Sequence, residues 1–219
     1  MSDYFRRIPN FQYISRINER KSNNDYITVK NLFRRGIIRE DIFAHFMTFT
    51  KYKIEGDERP DAVAYKFYGD EDYDWVVLAA NNIIHIRDEW PLTQNDFHNY
   101  LIEKYGSESL LDDIKHYETE EIKDSKGKIF VPKGKIVDST FKTTFLDSGT
   151  NRLIEVNPVQ GISYRTYEEK LQDAKRNINI LERRYLSQVV DDMETVLDYE
   201  RSSEYISPKL KRGSNPNLG

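Results

Sequence analysis

Residues 46–82 constrain the fold most, because strand and helix patterns follow one another there and clear turn residues separate them. Residues 46–54 are mainly β-branched and aromatic and alternate in polarity, which is typical of a strand. A Gly-Asp turn follows, and Pro60 then stands where proline favours the first turn of a helix. Gly69 is expected to end that helix, and a second short helix carries Trp75. This order of elements predicts an α+β fold.

Capping residues mark the starts of two predicted helices. Asp70 or Asp72 can cap the second helix of this region, because a carboxylate accepts hydrogen bonds from the free N–H groups of a first turn. Thr93, with Asp96 three residues later, resembles a capping box. It predicts a further helix that ends at Gly106.

A small β-rich region is predicted next, over residues 114–156. Residues 117–122 alternate in polarity, and residues 124–127 form an Asp-Ser-Lys-Gly turn. Several short strand patterns follow around prolines and glycines, which favours an antiparallel sheet or hairpin. Pro158 and Gly161 are expected to end this region.

The clearest periodicity lies further along the chain, where apolar residues recur at alternating spacings of four and three. Its members are Tyr167, Leu171, Ala174, Ile178, Leu181 and Tyr185. This heptad pattern predicts one amphipathic helix of about 28 Å whose apolar seam needs a partner helix. The apolar face then shifts, which indicates a stutter, a kink or a break near residues 184–187.

Composition excludes several classes of protein. There is no cysteine, which excludes a disulfide framework, a thiolate zinc site and a cysteine nucleophile. The apolar runs are far shorter than the roughly 20 residues of a membrane span, and no apolar signal-peptide stretch is visible, so we expect folding in a reducing cytoplasm. A net charge of −4 does not suggest nucleic-acid binding. Aliphatic residues are sparse beside 15 tyrosines, which favours an elongated shape or a fold completed by partners.

Both ends of the chain are basic. Residues 1–40 hold nine basic and four acidic side chains, and the polar residues 22–25 interrupt them as a loop. We interpret this arm either as a solvated extended segment or as a segment that lies along an acidic partner. The tail from Ser207 onward is expected to be disordered.

The sequence offers little catalytic or metal-binding chemistry. The histidines are His45, His85, His98 and His116. No two of them have the spacing of metal ligands, and the acidic residues 70–74 lack the pattern of a calcium loop. No phosphate-binding loop or nucleophile elbow occurs, so we expect no catalytic, cofactor or metal site. An enzyme whose catalytic groups meet only in the fold stays an alternative.

Residues 52–82 resemble a LysM-type module. The similar parts are a strand with a Gly-Asp turn at 56–57, a helix that ends in Tyr-Gly-Asp at 68–70, and a helix with Trp75. LysM modules bind the sugars of peptidoglycan or chitin, so the resemblance implies a cell-wall-binding module as one function. The Pro-Gly segment and second strand that usually close the module are not visible after Asn82.

A longer stretch contains the motifs Arg59-Pro60, Phe67-Tyr68-Gly69, Asp74-Trp75-Val76-Val77-Leu78, Asn81-Asn82, Trp90-Pro91-Leu92-Thr93 and Tyr100. In this order the motifs resemble the baseplate wedge subunit of T-even-type contractile phage tails, a family with a LysM-like portion. They cover residues 46–105, and a weaker similarity covers the segment 164–200, which contains Tyr167-Glu168.

This resemblance implies a non-enzymatic structural protein of the virion that joins neighbouring wedges as the hexagonal baseplate closes. The implied partners are long-helix wedge subunits and a sheath-initiator-like subunit, with several copies per baseplate and assembly in the host cytoplasm. Nucleic acid, membrane and small-molecule substrates are not implied. The residues predicted to contact partners are Arg59, Trp90, Tyr167, Leu171, Ala174, Ile178 and Leu181.

These predictions divide the chain into five segments. They are a basic arm with a short helix (1–45), a LysM-like domain with the following helix (46–110), a small β-rich insert (111–160), a helical segment for a partner bundle (161–206) and a disordered tail (207–219). The predicted fold is α+β, with a LysM-like strand–helix–helix unit, a small antiparallel β insert and C-terminal amphipathic helices.

Overall fold

The computed structural model describes residues 4–14, 26–39, 41 and 48–213. Helices and small, mostly antiparallel sheets both occur, which confirms the α+β class. The chain forms two compact units, one made of Met1–Trp90 with Arg176–Gly219 and the other of Pro91–Lys175. This division differs from the five predicted segments, because the chain leaves the first unit after Trp90 and re-enters it at Arg176.

The bounds of the elements follow the chain order. The helices of the described residues are α1 (Tyr4–Arg7), α2 (Pro60–Tyr68), α3 (Asp74–Ala80), α4 (Ile86–Glu89), α5 (Gln94–Tyr105), α6 (Tyr164–Lys175) and α7 (Leu186–Leu197). Short 3₁₀ turns lie at Glu71–Tyr73, Glu108–Asp112 and Arg183–Tyr185. The strands are β1 (Asn10–Ile14), β2 (Tyr26–Lys30), β3 (Phe49–Lys53), β4 (Ile114–Thr119), β5 (Ile122–Lys123), β6 (Ile129–Val131), β7 (Ile136–Val137), β8 (Thr143–Leu146), β9 (Leu153–Val156), β10 (Val159–Ser163), β11 (Asn177–Leu181), β12 (Tyr205–Ser207) and β13 (Leu210–Arg212).

The predicted caps of α5 are confirmed, whereas the predicted aspartate cap lies one turn before α3, because Tyr73 directly precedes α3 and makes no side-chain cap hydrogen bond. The Asp70 carboxylate accepts a hydrogen bond from the Asp72 N–H, and it precedes the 3₁₀ turn that leads into α3. The Thr93 hydroxyl accepts from the Asp96 N–H at 3.2 Å and starts α5. Gly106 ends α5 with φ of 81°, a conformation that glycine adopts without the steric cost of a Cβ atom.

The LysM-like elements of the first unit are closed by a strand that is distant in sequence. β11 pairs antiparallel with β3, with Asn177 opposite Lys53 and Leu181 opposite Phe49. The second strand of the LysM-like module, which is not visible in the sequence directly after Asn82, is therefore β11, and it follows the whole second unit in the chain. Strand β3, helices α2 and α3, and strand β11 then stand in the order strand–helix–helix–strand. Helix α7 covers the same core through Val189, Met193 and Leu197.

The predicted continuous helix through residues 167–185 is wrong. Helix α6 ends at Lys175, and strand β11 begins two residues later. Residues 177–180 read Asn-Ile-Asn-Ile, an alternation that places Ile178 and Ile180 on one face of a strand. Pairing with β3 stabilises this strand, so tertiary contacts override the heptad spacing. The predicted change near 184–187 corresponds to the start of α7.

The two ends of the chain form one sheet, with the strand order β12-β13-β1-β2. Strand β1 pairs antiparallel with β2 and parallel with β13. The predictions of a solvated extended arm and of a disordered tail are therefore wrong for the described residues, because each end satisfies the backbone hydrogen bonds of the other. Residues 15–25, including the predicted loop at 22–25, and the tail residues 214–219 lie outside the described residues. So do the first residues of the predicted strand, 46–47.

The predicted antiparallel β region forms most of the second unit. Strand β4 lies between β10 and β7, and two separate hairpins join β5 with β6 and β8 with β9. Gly161 does not end this region. It lies within β10 opposite Tyr117, where the side chain of Ile114 covers it, so that an added Cβ would lie 3.1 Å from the Ile114 Cδ1 atom.

Candidate protein–protein interface

The structure distributes the predicted partner residues over both units. Those in the first unit are Arg59, Trp90, Ile178 and Leu181, and those in the second are Tyr167, Leu171 and Ala174. The structure thus brings together the three residues of α6, which share one stripe of that helix, and separately the three buried residues Trp90, Ile178 and Leu181.

Three of the predicted residues belong to the core of the first unit. Ile178 and Leu181 are 4% and 1% exposed and pack in the cluster that contains α2, α3 and α7. Trp90 is equally buried, and its indole N–H donates to the Glu58 carbonyl oxygen at 3.0 Å. These side chains stabilise the fold and are not accessible to a partner, which corrects their prediction as contact residues.

Arg59 lies at the surface, directly before α2. Its side chain is 79% exposed, and its guanidinium lies 3.3 Å from the Asp61 carboxylate. An exposed ion pair of this kind contributes only about 0–1 kcal/mol. The guanidinium is therefore accessible to an acidic partner, and its contact role stays a prediction.

Helix α6 exposes an apolar stripe, formed by Tyr167, Leu171 and Ala174. Leu171 is 42% exposed, Ala174 is exposed and Tyr167 is half-buried. The Tyr167 ring is held by the Lys115 ammonium, which lies 3.1 Å from its centroid. The outward-facing part of the predicted seam thus exists, but it is limited to the residues of α6.

The buried face of α6 is polar, which the sequence analysis missed. The Glu168 carboxylate is 2% exposed and accepts hydrogen bonds from the Lys104 ammonium at 2.8 Å and the Tyr105 hydroxyl at 2.7 Å. The Gln172 side chain accepts from the Leu92 N–H at 3.1 Å. Glu168 and Gln172 are four residues apart, which places their side chains on the same face of a helix. This spacing could have indicated the polar face.

Electrostatics keep this buried carboxylate charged. Burial alone would raise the pKa of Glu168, but the hydrogen bonds from Lys104 and Tyr105 and the charge of Lys104 outweigh burial and lower it. Burial, together with the hydrogen bond to Glu168, raises the pKa of Tyr105 to about 12. The three side chains therefore fix α6 against α5 at neutral pH, and this contact orients the stripe.

We expect the change Lys104→Met to lower the free energy of unfolding of the second unit by about 2 kcal/mol at pH 7, because it removes a charged hydrogen bond to a buried carboxylate. The lowered pKa of Glu168 stabilises the fold above the ordinary value of 4.5, and this contribution is lost as the pH falls through the folded pKa. The difference from the wild type should therefore shrink at pH 3. Urea unfolding followed by circular dichroism at both pH values measures it.

Lys142→Met is the matched control, because the Lys142 ammonium lies 3.5 Å from the Glu155 carboxylate in a pair that is more than 60% exposed on both sides. It should leave stability unchanged at both pH values. A loss for Lys104→Met that is as large at pH 3 as at pH 7 would contradict the role of the charged Glu168.

A further exposed region of the first unit is the strap, residues 31–39. Its side chains alternate, so that Gly36 and Ile38 face the core while Ile37 faces solvent. Gly36 lies directly on α7, since an added Cβ would come within 1.7 Å of the Met193 sulfur. The Arg34 guanidinium donates to the carbonyl oxygen of Val196, near the end of α7, at 3.0 Å.

Within the described ranges, no helix is long and apolar enough to cross a bilayer. Nor does any group of three or more His, Asp or Glu side chains in those ranges lie close enough together to hold a metal ion.

The family of the chain follows from a comparison with known proteins. The model of the family described as base plate wedge protein 53 matches residues 5–133, which is more than half of the chain. No curated protein matches the sequence. The match begins in α1 and ends after β6, so it covers Arg59 and Trp90 but not α6. The chain belongs to the base plate wedge protein 53 family and is a structural protein of a phage tail baseplate.

Proposed function

We propose that this protein joins neighbouring wedges while the baseplate assembles. The observation that carries the proposal is the orientation of α6. This helix buries Glu168 and Gln172 and leaves Leu171 and Ala174 toward solvent. Burying a carboxylate requires specific partners, and exposing leucine forgoes hydrophobic stabilisation, so this orientation is favourable when a partner covers the stripe.

A helix of another wedge subunit is the partner that fits this stripe. Its spacing, from Tyr167 through Leu171 to Ala174, matches the i, i+4, i+7 anchors by which two helices pack. A long-helix wedge subunit would supply such a face, and a sheath-initiator-like subunit is the second proposed neighbour. In this proposal several copies act in each baseplate, and they assemble in the host cytoplasm.

Joining two wedges requires a second surface on the same chain. Arg59, exposed at the start of α2, is proposed to contact an acidic surface of the adjacent wedge. It lies in the first unit and the stripe lies in the second, so the two contacts use different compact units.

The experiment mixes the purified protein with wedge complexes that lack it and measures particle mass by analytical ultracentrifugation. We expect the wild type to convert single wedges into closed rings, and Leu171→Asp to prevent this because it puts a charge on the stripe. Leu153→Asp is the control, since Leu153 is also exposed but lies in the β8–β9 hairpin. Wedges that close equally well without the protein would contradict the proposal.

A LysM-type sugar-binding module is the second candidate function. The observation that favours it is strand β11, which completes the strand pair that the LysM resemblance requires. Retention on isolated peptidoglycan that is lost on changing Gly56 and Asp57, at the turn after β3, distinguishes this candidate from wedge joining.

A further inference from the structure

An unusual turn follows strand β2 in the first unit. The Arg34 N–H donates to the Asn31 carbonyl oxygen at 3.1 Å, which closes a tight turn with Leu32 and Phe33 in its two central positions. The Asn31 side chain fixes the turn from inside, because its Oδ1 accepts from the Phe33 N–H at 3.2 Å. Its Nδ2 donates to the Tyr199 hydroxyl at 2.8 Å, which ties the turn to the body of the unit.

The residues at the tip are not of the types that usually occupy the central positions of a tight turn. Central turn positions favour glycine, proline and small polar residues, whose conformational or hydrogen-bonding properties suit a bend. Here they hold two large apolar side chains, of which Leu32 is 66% exposed and Phe33 is fully exposed. Neither contributes to the core cluster of the first unit. Packing within the first unit therefore does not explain why these two side chains are exposed in the free chain.

The tip is held rigidly on both sides. Strand β2 precedes it and pairs with β1 over five residues. In the rest of the strap, Gly36 lies on α7 and Ile38 is 4% exposed in the core. The Arg34 guanidinium also lies 5.1 Å from the centroid of the Tyr199 ring. A rigid tip loses little conformational entropy on binding, which favours a partner contact.

Three basic residues, Lys30, Arg34 and Arg35, flank the tip in the sequence. The Lys30 ammonium donates to the carbonyl oxygens of Arg6 and Ile8, and the Arg35 guanidinium donates to the Asn82 side-chain oxygen. Arg34 donates to a backbone carbonyl as well. In the part of the chain that the structure describes, no carboxylate lies within 4 Å of these three cations in an ion pair. Besides backbone hydrogen bonds, the Arg35 charge at longer range helps to lower the pKa of the Glu89 carboxyl group, and the three cations are otherwise available to an acidic surface.

We infer that Leu32 and Phe33 form a knob that inserts into an apolar pocket, rimmed by carboxylates, on a neighbouring baseplate subunit. This inference rests on the proposed function and adds a contact to it. Phe33 fills the pocket, Leu32 packs at its wall, and Ile37, which is exposed on the strap, extends the apolar contact. Lys30 and Arg35 face the acidic rim. A buried aromatic anchor within a charged rim is the usual anatomy of a binding hot spot.

The test measures binding of the full chain to a wedge complex that lacks this protein, by isothermal titration calorimetry. We expect the double change Leu32→Ala with Phe33→Ala to weaken binding at least tenfold, without a change in the melting temperature. Tyr65→Ala is the matched control in the same unit, because Tyr65 is a large exposed side chain on α2, and it should bind like the wild type. Raising the salt concentration should weaken the wild type more than Arg35→Gln.

Each outcome separates this inference from the proposed function. Wild-type binding that the double change leaves intact would overturn the knob and leave wedge joining standing. Absence of binding by the wild type would overturn the proposed function, and the knob with it. If the isolated protein forms a dimer that Phe33→Ala dissociates, the knob binds a second copy of this chain. That result would overturn the inferred pocket on another subunit.

Discussion

Changing Ile178 to Asp will prevent the first unit from folding, whereas changing Leu171 to Asp will leave the fold intact. Ile178 is buried on β11 against α2 and α3, so an aspartate there would be an unpaired charge in the core. We expect a loss of more than about 4 kcal/mol, which is a large part of the stability of a typical domain. Leu171 is on the exposed stripe, and its replacement should cost less than about 1 kcal/mol.

The two variants form a matched pair, because both replace an aliphatic side chain of the same predicted seam. Thermal unfolding followed by circular dichroism, together with amide hydrogen exchange in β3 and α7, separates loss of fold from loss of a contact. An Ile178→Asp protein that melts like the wild type would mean that β11 does not close the first unit. Loss of cooperative unfolding in Leu171→Asp would mean that Leu171 stabilises the fold, and the stripe would then no longer be a candidate contact surface.

Removing residues 176–219 will abolish the fold of the first unit, although the strand and helices that resemble LysM all lie before residue 90. The removed segment holds β11 and α7, which supply six buried side chains to the core. They are Ile178, Ile180, Leu181, Val189, Met193 and Leu197. Without them β3 lacks its partner strand, and the loss far exceeds the stability of a domain of this size. The second unit, Pro91–Lys175, is expected to keep its fold.

The converse deletion tests the same topology. Replacing residues 91–175 by a short Gly-Ser linker should leave the first unit folded, because both ends of the excised segment meet one stretch of chain. The Trp90 indole N–H donates to the Glu58 carbonyl oxygen, and the Arg176 carbonyl oxygen accepts from the Ile54 N–H at 2.9 Å. The fluorescence of the buried Trp75 during urea unfolding shows whether the first unit is folded in each of the two deletion variants. This organisation would be contradicted if the protein without residues 176–219 still unfolded cooperatively. It would also be contradicted if the protein without residues 91–175 showed no cooperative transition.

Local signals in the sequence predicted the elements that depend on neighbouring residues. Asp70, Thr93 and Gly106 act on backbone groups within a few positions of themselves, so their capping roles could be predicted from spacing alone. The strand β3 and helices α2 and α3 were predicted for the same reason.

Elements that depend on distant residues could not be predicted in this way. Strand β11 is a strand because β3, more than 120 residues earlier, pairs with it. Glu168 is buried because Lys104, in another helix, lies 2.8 Å from its carboxylate, and the sequence of α6 does not reveal this partner. The buried Ile178 and Leu181 were consequently assigned to a partner surface, whereas Leu171 is exposed on α6 and its contact role stays a prediction.

The late position of β11 also sets the order in which the chain can fold during synthesis. The elements from β3 to α3 leave the ribosome first, but their closing strand follows only after the complete second unit has been translated. Contacts of such high sequence separation form slowly, because a long loop must close before they are made. The second unit can therefore fold while the first waits, and a nascent or truncated chain cannot present a finished first unit to a growing baseplate. Completion of translation thus becomes a condition for assembly.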